Sequence, residues 1–319
     1  MNRRSFLKYS AITSLAFPLE KVIASNKAMG STYSTNYSST ETVCMFVKPL
    51  EKYSYEEIAI MLSEAGFNGA DISFRKQGLI TPETARTELP KLVKMFSQKN
   101  LSTPMAVTDI TDPDDPSTLP TLELMKDNGI SFYRLGIINY DPNIPIRKSL
   151  SLLTDKMKKL EELNARFGIH GAIQNHVGKG FGAAVWDAWT VIKDLDPQYM
   201  GFQYDIRHAV AEGAYSWSLA LEIIQDFIYT TCIKDFTWEK TDKGFKPVTV
   251  PLGQGIVDFT NYFKQINKRT HTGPVSIHYE YPLISSEHSK ETVSQQLKKI
   301  IPVLRQDIDM YKKMQKQVE

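Results

Sequence analysis

Short apolar runs alternate with longer segments of helical spacing from about residue 43 to the end of the chain. Each run has the length of a β-strand, and the segments between the runs have the apolar spacing of helices with one buried face. The runs lie near residues 43–47, 69–74, 103–107, 131–136, 169–175, 200–205, 228–235 and 275–280. Strands that alternate with helices in this number predict a single-domain α/β fold, the (β/α)8 TIM barrel. The rival, an open doubly wound sheet, lacks a G-x-G-x-x-G turn after the first strand.

Three of the helical segments carry end signals of their own. Residues 54–66 begin with Ser54 and acidic residues and close with a glycine, which predicts both ends of a helix. Residues 147–168 also close with a glycine after apolar residues at helical spacing. The last helix is predicted over residues 289–313, with a kink at Pro302.

The first 42 residues do not share this alternation. Arg3 and Arg4 precede a short apolar stretch, and small residues suit cleavage after Ala24. We therefore predict a twin-arginine signal peptide over 1–24, a flexible lead-in over 25–42 and a TIM-barrel domain over 43–319. The predicted location is the periplasm, or a membrane anchor if the signal is not cleaved. We expect no transmembrane span in the mature chain.

Polar side chains alternate with apolar ones along the last four predicted strands, whereas strands of parallel barrels are usually apolar on both faces. The polar or small set comprises His170, Ala172, Gln174 and His176, then Gly201, Gln203 and Asp205, then Thr230, Cys232 and Lys234, then Ser276, His278 and Glu280. Because the apolar side chains of these strands pack on the helices, we expect the polar or small set to face the barrel axis. The candidate site then lies at the mouth formed by the carboxyl ends of the strands.

Charge and cysteine content narrow the function classes. The net charge of +2 gives no electrostatic footprint for nucleic acid, which is not expected as a partner. The two cysteines, Cys44 and Cys232, fall on the first and seventh predicted strands with the eighth between them. Two strand spacings separate their Cα atoms by roughly 9–10 Å, beyond the ~7 Å limit of a disulfide, so we expect no bridge.

The motifs QNH, YDIRH, IKDF and HYEYP end the last four strands, and with them the chain resembles the xylose isomerase-like barrels over roughly 43–311. That superfamily contains sugar phosphate isomerases and epimerases as well as endonuclease IV-type enzymes. Many of its members bind one divalent metal ion through Glu, Asp, His and Glu at the ends of these strands. The matching positions here are Gln174, Asp205, Cys232 and Glu280.

Two of these positions depart from the family pattern, and this leaves two alternatives for the site. The resemblance implies a divalent ion (Mn²⁺, Mg²⁺, Co²⁺ or Zn²⁺) held by Asp205, Glu280 and Gln174, with a nearby histidine to complete the site. In the alternative no metal binds, and Lys234 neutralises the carboxylates and takes over the electrostatic role of the ion.

The chemistry that the resemblance implies is proton transfer next to a carbonyl group through an enediolate. Glu280 is the first candidate for the base, and Lys234 and His208 are candidates for the electrophile or acid. The expected substrate-binding side chains are His176, Arg207, Trp238, His278 and Trp186. Trp186 has an alternative place on a buried helix face together with Trp189. Arg207 and His208 are expected on a loop past the end of the sixth strand.

Three functions stay open on this basis. The first is a sugar isomerase or epimerase, and export favours a non-phosphorylated carbohydrate as its small-molecule partner. The second is a 3-keto-glycoside lyase or hydrolase that uses the same base. The third is a catalytically silent sugar-binding barrel whose metal site has decayed. Homo-oligomers are common among similar barrels, so a dimer or tetramer is a further expectation.

Overall fold

The computed structural model describes residues 41–269 and 271–318. The predicted signal peptide and most of the lead-in lie outside these residues and stay predictions. In the part that is described, no helix is long and apolar enough to span a membrane.

Eight parallel strands close into a barrel, which confirms the predicted TIM-barrel fold. In chain order the barrel strands are Val43–Phe46 (β1), Gly69–Phe74 (β2), Ser102–Thr108 (β3), Phe132–Arg134 (β4), His170–Gln174 (β5), Met200–Asp205 (β6), Ile228–Ile233 (β7) and Val275–Ile277 (β10). Between β7 and β10 the chain forms an antiparallel hairpin of Asp235–Thr241 (β8) and Gly244–Val250 (β9).

Helices surround the barrel, and Ser54, Gly66 and Gly168 lie at helix ends, as predicted. The helices are Tyr55–Ala65 (α1), Ala85–Ser97 (α2), Thr118–Asp127 (α3), Ile146–Phe167 (α4), Val185–Ile192 (α5), Ile206–Gly213 (α6), Trp217–Ile224 (α7), Phe259–Ile266 (α8) and Val293–Lys316 (α9). Ser54 and Glu57 form a capping box at the start of α1, and Gly66 ends that helix in a left-handed conformation with φ of 102°. Helix α9 continues through Pro302.

Neighbouring side chains of β6 point to opposite faces of the strand, as the alternation predicts. Tyr204 donates a hydrogen bond to the Trp217 carbonyl of α7 at 3.4 Å and stacks on Tyr262 of α8, so its side chain faces the helices.

Cys44 and Cys232 are free and buried, and Ser276 lies between them in the strand register. The predicted placement of the two cysteines is therefore confirmed.

The hairpin is an element that the sequence pattern does not predict, because no apolar run marks a strand between residues 235 and 275. The structure places Trp238, an expected substrate contact, on β8. Asp235 holds the base of the hairpin, since its carboxylate accepts hydrogen bonds from the backbone N–H groups of Phe236 and Gly255 at 2.8 Å and of Gly253 and Val257 at 3.1 and 3.2 Å. A buried carboxylate satisfied by backbone donors in this way fixes where the hairpin leaves the barrel.

Gly201 of β6 packs directly against the backbone that precedes β7. A Cβ atom there would lie 2.1 Å from the Phe227 carbonyl oxygen. We predict that Gly201→Ala lowers the free energy of unfolding by about 1–3 kcal/mol or more, measured by urea denaturation. Gly213→Ala is the matched control, because its nearest neighbours lie at 3.5 Å and α6 gains helix propensity. Equal stability of the two variants would contradict this packing.

Candidate active site

Lys234 directly follows β7, and its ammonium group lies at the centre of the mouth. Its side chain is only 1% exposed. Nζ lies 2.8 Å from Glu280 Oε1, 3.0 Å from Asp205 Oδ2 and 2.9 Å from His208 Nε2. The two carboxylates, from the ends of β6 and the segment after β10, thus compensate one buried cation.

Asp205 is held in place by its backbone as well as by its side chain. It is the last residue of β6 and also the N-cap of α6, where Oδ1 accepts a hydrogen bond from the His208 N–H at 3.1 Å. The Asn175 side chain accepts from the Asp205 N–H at 2.7 Å and donates to the Asp205 carbonyl at 2.9 Å. The expected loop after the sixth strand is therefore wrong. Because Asp205 caps the helix at once, Arg207 and His208 lie in the first turn of α6.

Gln174 connects the network to a residue that the sequence interpretation did not include. Its amide Nε2 donates to Asp205 Oδ2 at 2.8 Å, and its Oε1 accepts a short hydrogen bond from Arg134. Arg134 is the last residue of β4 and is buried. Arg134 lies two residues after Phe132, so the two side chains share one face of the strand. That spacing could have indicated an inward polar side chain, but the three residues of β4 are too few to reveal an alternation.

The charged groups of this network shift one another's pKa values toward the ionised forms. Burial alone would raise the pKa of Asp205, but His208 and Lys234 outweigh it and lower that pKa well below its usual range. Burial also opposes ionisation of Glu280, yet Lys234 lowers its pKa to about 2. Burial would lower the pKa of Lys234, but Asp205, Cys232 and Glu280 together outweigh burial and raise it. Both carboxylates and the ammonium are therefore ionised at neutral pH.

His208 is neutral, and its neighbours decide which nitrogen carries the hydrogen. Burial lowers its pKa to about 2. The Arg207 guanidinium lies 2.9 Å from Nδ1, and an arginine can only donate, so Nδ1 must be the accepting nitrogen. The hydrogen is accordingly assigned to Nε2, the atom that faces Lys234. This Nε2–H faces Asp205 Oδ2 at 3.5 Å, the same oxygen that lies 3.0 Å from Lys234 Nζ, so N–H groups of both residues converge on one carboxylate oxygen.

The imidazole ring of His176 packs against that of His208. Its ring centroid is 4.2 Å from that of His208, and its Nδ1 lies 3.0 Å from the Val177 carbonyl oxygen. A carbonyl only accepts, so the hydrogen is on Nδ1 and Nε2 keeps its lone pair. Burial lowers the pKa of His176, which favours this neutral form.

The other side chains predicted to contact the substrate, Trp238, His278 and Trp186, lie in three different places. Trp238 projects from the hairpin and is 44% exposed. His278 is buried against Phe46, with its Nε2 3.7 Å from Asp71 Oδ2. Trp186 lines a cavity of about 110 Å³ between the start of α5 and helices α6 and α7, and none of the lining residues belongs to the network around Lys234.

The residues at the mouth do not fit a resident divalent ion. Asp205 and Glu280 both face the Lys234 ammonium, and Gln174 turns its NH₂ group toward Asp205 while Arg134 engages its oxygen. Burial raises the pKa of the Cys232 thiol, which disfavours the thiolate that binds metals. Among residues 41–269 and 271–318, no group of three or more His, Cys, Asp or Glu side chains is arranged to hold a metal ion.

Comparisons with known proteins identify the fold of this site. A family model described as xylose isomerase-like TIM barrel matches residues 60–306. No functionally curated protein matches the sequence. The similar solved structures include an L-ribulose 3-epimerase (14% identity, TM-score 0.64, 88% of this chain and 96% of the other). They also include the IOLI protein with a bound zinc atom (15%, 0.63, 85% and 98%) and a 3-keto-D-glucoside 4-epimerase from E. coli (14%, 0.59, 83% and 99%). At these identities the likeness establishes the fold alone.

Removal of the central cation is predicted to destabilise the barrel strongly. Lys234→Met leaves Asp205 as an uncompensated buried carboxylate, and we expect a loss of about 3–5 kcal/mol in the free energy of unfolding. The double variant with Asp205→Asn should recover part of this loss, because the stranded charge is gone. Urea denaturation of the three variants measures the coupling. Additive effects of the two substitutions would contradict the ion pair.

The pH dependence of stability follows from the lowered pKa values of His208 and Glu280. The unfolded chain binds a proton at each group near its ordinary pKa, about 6.5 and 4.5, whereas the folded protein does so only near pH 2. Stability is therefore full above about pH 6.5 and decreases as the pH falls towards 2. Because Glu280 is partly exposed, we expect its share to be only about 1 kcal/mol. Glu280→Gln should flatten the curve below pH 4.5 and Glu239→Gln should not, as measured by urea denaturation across this range.

Proposed function

We propose that this chain, which belongs to the xylose isomerase-like TIM barrel family, is an isomerase or epimerase that moves a proton next to the carbonyl group of a non-phosphorylated sugar. The observation that carries the proposal is the pairing of the partly exposed Glu280 carboxylate with the buried N–H donors of Lys234 and His208 beside it. Proton abstraction beside a carbonyl needs these two parts, a base for the C–H and an electrophile for the oxygen.

Glu280 is the base. One carboxylate oxygen, Oε1, is held by Lys234, whereas Oε2 has only a long contact of 3.4 Å with the Thr249 hydroxyl. The Glu280 side chain is 44% exposed, so Oε2 is open to a substrate C–H bond. Its low pKa keeps it ionised at neutral pH, and the weak basicity that follows is offset by stabilisation of the enediolate.

Lys234 and His208 stabilise the enediolate oxygen. Lys234 Nζ and His208 Nε2 lie 2.9 Å apart, and Asp205 Oδ2 lies 3.0 and 3.5 Å from them. A substrate carbonyl oxygen that contacts both nitrogens accepts a hydrogen bond from each, and both bonds strengthen as negative charge develops on it. The ammonium thereby supplies the positive charge that many relatives obtain from a metal ion, and Asp205 keeps it protonated.

His176 protonates the enediolate: it first takes a proton from solvent at Nε2 and then gives it to the substrate carbon, while Glu280 releases the abstracted proton to solvent. In relatives with a carboxylate at the end of β5 that group can exchange protons, but the amide of Gln174 cannot. His176 Nε2 carries a free lone pair and its ring stacks on His208, so it lies on the same side of the mouth as the electrophile. Glu280 from after β10 and His176 from after β5 thus each exchange a proton with solvent and with one substrate.

One observation and one sequence-based prediction support a sugar without phosphate. The glycine-rich loop after β5 has its amides satisfied by carboxylates of the chain itself, with Gly178 donating to Glu212 at 2.8 Å and Gly182 to Asp187 at 3.0 Å. A phosphate-binding loop would keep such amides for the ligand. The predicted twin-arginine signal also favours this substrate class, because an exported enzyme in the periplasm meets few sugar phosphates.

A 3-keto-glycoside lyase is the second candidate. It is favoured by Gln174, since elimination needs one base for the proton beside the ketone and a donor for the leaving group, and no second carboxylate. The similarity to a 3-keto-D-glucoside 4-epimerase supports a keto-glycoside as the substrate of either reaction.

Incorporation of solvent deuterium tests the proposal. The wild-type protein in D₂O with chelator should introduce deuterium into one or more sugars from a panel of free ketoses, aldoses and 3-keto-glucosides, as followed by NMR. We expect Glu280→Gln to lower the exchange rate by about 10²- to 10⁴-fold, and Lys234→Met by about 10²- to 10³-fold. Glu239→Gln, on the outer part of the hairpin, is the control and should exchange at the wild-type rate.

The outcomes separate the three functions. Exchange with formation of an isomer or epimer supports the first candidate, whereas release of the aglycone without an epimer selects the lyase. If bound sugars incorporate no deuterium, the protein is a silent sugar-binding barrel and the proposal fails.

A further inference from the structure

The β8–β9 hairpin presents one continuous aromatic face. Residues directly opposite each other on antiparallel strands share a face, and alternate residues of one strand share it too. The pairs on this face, from the base of the hairpin to its tip, are Phe236 with Thr249, Trp238 with Pro247, and Lys240 with Phe245. We call these six residues the hairpin face. The opposite face carries the charged pair Glu239 and Lys246.

The base of the hairpin face is part of the candidate active site. The Thr249 hydroxyl lies 3.4 Å from Glu280 Oε2, the oxygen assigned as the base. The Arg207 guanidinium lies 5.5 Å from the Phe236 ring and donates to the Pro247 carbonyl at 3.2 Å. The same face that begins at the reacting groups therefore continues outward along the hairpin.

The outer part of this face is apolar and exposed. Trp238 is 44% exposed and Phe245 is 69% exposed, whereas Phe236 at the base is fully buried. Phe236 meets Trp238 edge to face at 5.5 Å, which fixes the indole relative to the base. Two residues along a strand advance by about 6.6 Å, so Trp238 lies roughly one sugar ring further out than the groups that contact Glu280.

We infer that the hairpin face binds a ring carried by the reacting sugar, so that the substrate class is a glycoside with a second sugar or an aryl ring and not a free monosaccharide. This inference rests on the proposed function, because it takes Glu280 as the position of the reacting ring. The C–H face of a pyranose, or an aryl ring, stacks on Trp238 and Phe245. The ammonium of Lys240 at the tip donates to a ring hydroxyl or lies against the aryl face.

Binding of matched ligand pairs tests the inference without turnover. The probes are glucose and galactose, each compared with its phenyl β-glycoside and with cellobiose or lactose, and the dissociation constants are measured by calorimetry on the full chain. We expect the ring-bearing ligand to bind more tightly than the free sugar. Trp238→Ala and Phe245→Ser should each reduce that advantage, Trp238→Ala by about tenfold. Glu239→Ala and Lys246→Ala, on the opposite face of the same hairpin, should retain it.

Three results would overturn the inference. The first is an equal affinity of the free sugar and its ring-bearing derivatives in the wild-type protein. The second is an advantage that persists in both aromatic variants. The third is a lower sedimentation coefficient of Trp238→Ala or Phe245→Ser, since the hairpin face would then be an interface between two copies of the chain.

The same measurements distinguish this inference from the proposed function. If no sugar exchanges deuterium but the ring advantage depends on Trp238, the proposed function fails and the subsite stands. If free sugars exchange deuterium and a second ring confers no advantage, the proposed function stands and the subsite fails.

Discussion

The buried ammonium of Lys234 is the group on which the mouth of this barrel depends. A cation with 1% exposure must be compensated by charges brought to it, and Asp205 and Glu280 converge on it from the ends of two different strands. Lys234 helps to keep both carboxylates ionised, and it adds to the burial that keeps His208 neutral. The ionisation of Asp205 and Glu280 thus depends on this ammonium, whereas burial is the main cause of the lowered pKa of His208 and His176.

The barrel supplies the constraints that this network needs. Asp205 caps α6 and is flanked by Asn175, so its carboxylate has little freedom to leave Lys234. Arg134 and Asp205 both engage Gln174, which completes a continuous line of contacts from β4 to Glu280. A divalent ion would have to displace a cation that these contacts already hold. The departures from the family pattern at Gln174 and Cys232 are thus consistent with one another, because a site organised around an ammonium no longer requires a third carboxylate or an imidazole.

Much of the fold and of the site could be predicted from the sequence, for physical reasons that also set the limits. The period-two alternation of the last four strands identified Asp205, Lys234 and Glu280, because inward polar side chains at strand ends must meet at the mouth. Arg134 escaped notice since three residues of β4 do not establish a period. The hairpin escaped notice because its strands follow β7 almost without a break. The hydrogen on His208 depends on Arg207 and Lys234 in space, which spacing along the chain does not reveal.

The metal content of the protein is the most direct test of the claim that Lys234 occupies the place of an ion. The measurement is elemental analysis of the full chain purified without chelator from cells supplied with manganese, cobalt and zinc, with the Asp205→Asn variant in parallel. The account predicts far less than one equivalent of any divalent metal in the wild-type protein and the same low level in the variant. One equivalent in the wild-type protein that disappears with Asp205→Asn would contradict it.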